Sequence, residues 1–192
     1  MTDAPRWVYV VVSAAPPVLR IEELVSALAS DGWSVCVIAT PTAASWIDLD
    51  SLAAATGCLT QTHARPPRER ESLPRAGAVL AAPITFNSIN KWAAGSSDTL
   101  ALGVLNEMLG TEVPILAAPC VKTELRRHPA YDESVARLTN AGVSMMDPDA
   151  VTIRAQDGLA TFDWPQIVST LDDVRSSRQL DGLTQRTGLT SD

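Results

Sequence analysis

The run Trp7–Ser13, WVYVVVS, is apolar at nearly every position. An uninterrupted short run of this kind describes a strand covered on both faces, as in the middle of a parallel sheet. Working outward, Ile21–Asp31 sets Ile21, Leu24, Val25 and Leu28 at helical spacing, and Gly32 closes it. Ser34–Thr40 (SVCVIAT) reads as a second strand, and the stretch from Pro41 to Gly57 as a loop and helix. Cys58–Thr62 makes a short third strand, followed by a long Pro- and Arg-rich loop, His63–Pro74. Gly77–Ala82 is the next buried strand, stopped by Pro83. Asn87–Leu109 fits two helices, or one helix broken at Gly95–Ser97. Val113–Ala118 is a strand, Asp132–Ala141 a helix ended by Gly142, and Val143–Met146 a last strand.

Strand–helix alternation with short loops predicts an α/β fold: a doubly wound parallel sheet in three layers, Rossmann-like or flavodoxin-like. Its ligand belongs beyond the carboxyl ends of the strands. Residues 1–146 carry this pattern. Residues 147–178 read as a flap and C-terminal helix of the same domain. There Val151–Asp163 suits a hairpin turning at Asp157-Gly158, and Pro165–Arg178 puts Ile167, Val168, Leu171 and Val174 on one face. Residues 179–192 are polar and unpatterned, and are expected to be a disordered tail.

The chain has 192 residues, 46% hydrophobic and 19% charged, with a net charge of -7. That is ample for one core and excludes disorder throughout. The acidity argues against nucleic acid and anionic membranes, which need clustered Lys and Arg. The nearest basic cluster, Arg65, Arg68, Arg70 and Arg75, is interleaved with Glu69 and Glu71 and reads as a solvated loop. No run approaches the roughly 20 apolar residues of a membrane helix. Asp3 stands where a signal peptide wants a basic start, so the expected location is cytoplasmic. Cys36, Cys58 and Cys120 are widely spaced and offer neither a disulfide framework nor a CxxC pattern. Each reads as a small buried hydrophobe. Two isolated histidines supply no ligand cluster, and no metal is expected.

GxGxxG, Walker A, GxSxG and HExxH are all missing. The chemistry therefore rests on four loops that follow strands. Ser13-Ala14-Ala15 has small residues and a hydroxyl that let an anion approach a helix start, although an ordinary strand–helix turn has the same make-up. Thr40–Ser45 holds three hydroxyls before a helix, suited to a phosphate or simply to capping by Thr42. The third loop carries Thr85, Asn87 and Ser88, more polar groups than a cap requires. The fourth, Ala117–Pro129, brings Lys122, Arg126 and Arg127, which can hold an anion or stand as a solvated charged loop.

The third loop and the helix after it, PITFNSINKWAAGSSDTL, resemble the signature of the flavin-containing cysteine decarboxylase family. Pro83, Asn87, Ile89, Asn90, Lys91, Ala93, Gly95, Asp98 and Leu100 coincide with that signature. The family includes epidermin-type peptidyl-cysteine decarboxylases and phosphopantothenoylcysteine decarboxylase, and the resemblance extends weakly from about Trp7 to Met146. It implies a homo-oligomer, a trimer or a dodecamer of trimers, with FMN (less often FAD) between subunits. It implies a phosphate on Ser13, Ala14, Thr40 and Thr42, and a flavin and active centre lined by Thr85, Phe86, Asn87 and Ser88. Ala117 and Ala118 would approach from the next strand.

The implied reaction oxidises the CH–SH unit of a cysteine by hydride transfer to flavin, after which CO₂ leaves because the carbanion is delocalised into C=S. Three departures bear on it. Ungapped alignment puts Glu69 where the family has its histidine base, so His63 serves only if the loop carries an insertion. The family's carboxylate clamp corresponds to PCVKTELRRHP, with Lys122 at an asparagine, Leu125 at a methionine and His128 at the second asparagine. Lys122 would bind a carboxylate as a point charge rather than an amide fork. From Val121 onward there is no cysteine to return the flavin to its oxidised form, as a coenzyme A enzyme needs. The expected activity is oxidative decarboxylation of a cysteine-containing peptide or small-molecule conjugate to an enethiol. Its alternative is an FMN-binding protein without decarboxylase activity, acting as a regulatory or partner subunit. Flavin prenylation on the same scaffold is disfavoured by the NxINK pattern.

Overall fold

A computed structural model describes residues 6–64, 68 and 73–187, the last nine of them as backbone only. Arg65, Glu69, Arg70 and Glu71 of the arginine-rich loop, and residues 188–192 of the expected tail, lie outside the described residues.

The central sheet has six parallel strands: β1 (Arg6–Val12), β2 (Trp33–Ala39), β3 (Leu59–Gln61), β4 (Ala76–Ile84), β5 (Ile115–Pro119) and β6 (Val143–Met145). Their spatial order is β3-β2-β1-β4-β5-β6, the Rossmann order, in which the winding reverses between β1 and β4. Successive side chains of a strand leave by opposite faces, so each unbroken apolar run feeds two cores. Val8, Val10 and Val12 join one core beneath helices α1 (Ile21–Ser30), α3 (Leu49–Thr56) and α9 (Trp164–Thr187). Tyr9 and Val11 join the other beneath α4 (Phe86–Ala93), α5 (Leu100–Leu109) and α7 (Pro129–Asn140). Leu24, Leu28, Ile89 and Leu105 are at most 1% exposed, each burial contributing about 1.5–3 kcal/mol.

Pro83 does not stop β4. The strand runs on to Ile84 through a cis Ala82–Pro83 bond, and its register against β5 shifts between Ala81 and Ile84. A proline at such an irregularity removes no ladder donor, and its carbonyl accepts the Ser13 N–H at 2.8 Å. Asn87–Leu109 is two helices, α4 and α5. Two short helices, α2 (Pro41–Ala44) and α6 (Thr123–Arg126), follow β2 and β5. After α8 (Pro148–Val151), β7 (Thr152–Arg154) and β8 (Ala160–Phe162) form the antiparallel hairpin around Asp157-Gly158, with Gly158 at φ 80°. Helix α9 continues past Arg178 to Thr187, through part of the stretch expected to be disordered. No helix among the described residues is long and apolar enough to cross a membrane.

Candidate functional site

The loops after β1, β2 and β4 meet at the point where the winding reverses and enclose a cavity of about 310 Å³. Ser13 and Ala14 come from the first loop, Thr40 and Thr42 from the second, and Thr85, Asn87 and Ser88 from the third. Lys91 on α4, with Thr99 and Leu102 at the start of α5, completes the wall.

Local sequence explains these positions. Thr85 caps α4, its Oγ1 accepting the Ser88 N–H at 3.4 Å, and Thr99 caps α5 by accepting the Leu102 N–H at 3.2 Å. Thr40, not Thr42, caps α2, accepting the Ala43 N–H at 3.3 Å, because Pro41 takes the first helical position. Ser13 and Ser88 are 3% and 7% exposed, and the Ser13 hydroxyl donates to Ser88 Oγ at 2.9 Å. Several hydroxyls and the positive ends of α4 and α5 thus face one small volume. Those helix starts and hydroxyls suit an anionic group such as a phosphate. Lys91 adds a cation, tied across the Gly95–Ser97 turn to Asp98, whose carboxyl it holds below the usual carboxylate range.

Other expected residues lie elsewhere. Ala117 and Ala118 are fully buried in β5 and present no surface to this cavity. Phe86 turns toward α7, where its ring meets His128 edge-on at 5.6 Å and lies nearly parallel to Tyr131 at 6.4 Å. His128 caps α7, its Nδ1 accepting the Ala130 N–H at 3.1 Å. Lys122, at the start of α6, and Leu125 are exposed and do not line the cavity. His63 is exposed on a neighbouring cleft of about 800 Å³, which touches the cavity through Pro41 and Thr99. Glu69, the aligned position for the family's base, is outside the described residues.

Reading the loops alone missed Lys91 and Thr99. Both stand in or beside the matched signature, but only the turn between α4 and α5 brings the start of α5 back to the strand ends. The cysteines are not poised as nucleophiles. Burial pushes the Cys36 thiol up to about 12 and raises Cys58 and Cys120 as well.

Strand order and a hydroxyl-lined crevice at the reversal point define a doubly wound domain of the nucleotide-cofactor-binding class. Within that class the chain belongs to the Flavoprotein family, which matches residues 1–176. Among curated proteins, the coenzyme A biosynthesis bifunctional protein CoaBC of Thermococcus kodakarensis is 32% identical over 74 residues, covering 38% of this chain and 18% of that protein. A cysteine/cysteine sulfinic acid decarboxylase of an unknown prokaryotic organism is 33% identical over 69 residues, 36% of this chain and 18% of that protein. The match thus spans less than a fifth of these relatives. Among solved structures, the FMN-dependent cysteine decarboxylase TvaF from thioviridamide biosynthesis superposes with a TM-score of 0.73 at 16% identity, covering 90% of this chain and 99% of that one. A PPC decarboxylase mutant complexed with pantothenoylaminoethenethiol gives 0.70 at 17% identity, covering 88% and 97%. These likenesses establish the same fold.

Proposed function

We propose that this chain binds FMN in the crevice at the winding reversal and acts as a flavin-dependent decarboxylase on a cysteine-containing peptide or cysteine conjugate. The observation that carries the reading is the convergence of Ser13, Thr40, Thr42, Thr85 and Ser88 on one cavity in a member of the Flavoprotein family. FAD would use the same phosphate contacts and is the second candidate. When bound, the flavin supplies the two-electron acceptor for a hydride.

The chain's own residues hold, orient and move protons. The hydroxyl set and the starts of α4 and α5 bind the phosphate end of the cofactor. Asn87, exposed where α4 begins, orients the substrate with an amide that both donates and accepts. His63 takes the proton in this reading, and Lys122 holds the carboxylate, with Leu125 and His128 beside it. His63 and Asn87 line different hollows of one chain. A homo-oligomer, in which one copy's His63 cleft faces another's crevice, reconciles the two roles. The net charge of -7 and the absence of a membrane-crossing helix among the described residues suit work in the cytoplasm.

That separation also favours a second reading, a flavin-binding subunit without decarboxylase activity. Purified protein absorbing at about 450 nm supports flavin binding, and colourless protein that takes up neither FMN nor FAD removes it. Cysteine-ended peptides then separate the readings. A loss of about 46 mass units, CO₂ plus two hydrogens, identifies the enzyme. A broad panel with no such loss leaves the binding subunit.

A further inference from the structure

Two hollows of about 530 and 420 Å³ lie side by side at the carboxyl end of the sheet and share Leu19 and Glu22. One runs from the turn Pro16–Arg20 to the tip of the β7–β8 hairpin, and the other from Leu19 to Trp46 and α3. Leu19, Trp46 and Leu159 are 50%, 47% and 45% exposed, among the most exposed large apolar side chains of the described residues. A lone exposed leucine is ordinary, but Leu19 and Leu159 edge one hollow and Leu19 and Trp46 the other, so the adjoining pair gathers three exposed apolar side chains, as a recognition surface does. Glu22, Glu23, Asp48 and Asp157 line the same hollows against a single cation, Arg20, already paired with Glu23 and Asp157 at 3.1 Å each. Both walls start where the crevice loops end, since Pro16 closely follows Ala14 and Trp46 closely follows Thr42.

We propose that this double hollow docks a basic peptide segment whose apolar side chains enter the two depressions and whose cations meet the acidic rim. Alternate side chains of an extended peptide project to one side about 7 Å apart, a spacing that can fill neighbouring depressions. A second copy of the chain in isologous contact would oppose acid to acid, which favours a peptide of the opposite charge. The inference deepens the proposed function, in that the peptide's path toward the reactive centre rests on that reading, but docking itself does not.

The test uses the flavin-loaded protein and two short fluorescein-labelled peptides without cysteine, one combining leucine with lysine and the other leucine with glutamate. Fluorescence anisotropy should show binding of the lysine peptide alone, weakening as salt is raised. Glu22→Lys and Trp46→Ala should each weaken it about tenfold. Glu112→Lys, the same charge change on the exposed connection before β5 at the opposite end of the sheet, should leave it unchanged. Absence of binding, equal binding of both peptides, or equal weakening by Glu112→Lys overturns the proposal. So does sedimentation in which Trp46→Ala dissociates an oligomer without altering peptide affinity, because the surface then lies between copies. Docking of the lysine peptide with no decarboxylation of its cysteine-ended form, or of any member of the broad cysteine-ended panel, would sink the enzymatic reading and leave the docking site standing. Decarboxylation without docking would do the reverse.

Discussion

Ser13 Oγ donates a hydrogen bond to Ser88 Oγ at 2.9 Å, tying the loop after β1 to the first turn of α4 across the winding reversal. Thr85 donates to the same Ser88 oxygen at 3.2 Å. Ser88→Ala removes the shared acceptor and leaves the buried Ser13 hydroxyl without this partner. The expected loss is about 1–2 kcal/mol of unfolding free energy. Flavin retained on a desalting column should fall with it, because both loops line the cavity. Unchanged denaturation midpoint and retention would show that the hydroxyl chain holds neither loop.

Lys91 and Asp98 form an exposed pair at the edge of the crevice. Lys91→Met should weaken flavin binding about five- to tenfold, measured by fluorescence titration, with little change in the unfolding midpoint. Asp98 has a folded-state pKa below its ordinary value. Its contribution is therefore fully present above the ordinary carboxylate range and is lost as pH falls through the depressed value. The margin of folding stability over Asp98→Asn should accordingly hold from neutrality down to about pH 4. A loss already complete at mildly acid pH would assign the effect to another group.

If Asn87 orients the substrate as proposed, Asn87→Asp should keep the flavin absorbance and cut turnover about a hundredfold or more, because a carboxylate then replaces the donating amide. His63→Asn should keep both absorbance and flavin affinity while lowering turnover and flattening its pH profile. Full turnover in that variant would end the base assignment, and the pH profile separates a lost proton acceptor from a disturbed loop.

Periodicity alone carried the sheet and its covering helices, since Val8 to Val12 and Leu24 to Leu28 report their surroundings through spacing. The cavity residues of the first three loops were equally legible, because each follows a strand and the fold rule puts ligands there. Two things were not. The continuation of β4 through Pro83 depends on a register shift against β5, which local sequence does not encode. The side of the domain to which His63, Phe86 and His128 turn is set by tertiary packing: Phe86 lies one residue from Asn87, yet its ring packs toward α7. Helical neighbours point about 100° apart, so shared loop membership does not guarantee a shared cavity.

Asp172 on α9 lies 3.5 Å from the Arg6 guanidinium and 3.6 Å from that of Arg175, while Arg6 also reaches Asp31 at 3.1 Å and covers the Trp33 ring at 3.8 Å. Desolvation, then the neighbouring Asp31 carboxyl, raise the Asp172 pKa despite the two arginines. A raised carboxyl takes its proton in the folded protein before the unfolded chain does. Its contribution thus favours folding below the ordinary carboxylate pKa and is lost as pH rises through the folded value. At neutral pH, Asp172→Asn should therefore hold or raise the melting temperature although it removes two ion pairs. Below about pH 4 the two proteins should converge, since Asp172 is then neutral in the parent as well. Melting curves at several pH values between these limits decide the point: a clear loss of stability for Asp172→Asn at neutral pH would mean that the attraction of Arg6 and Arg175 outweighs desolvation and the repulsion from Asp31.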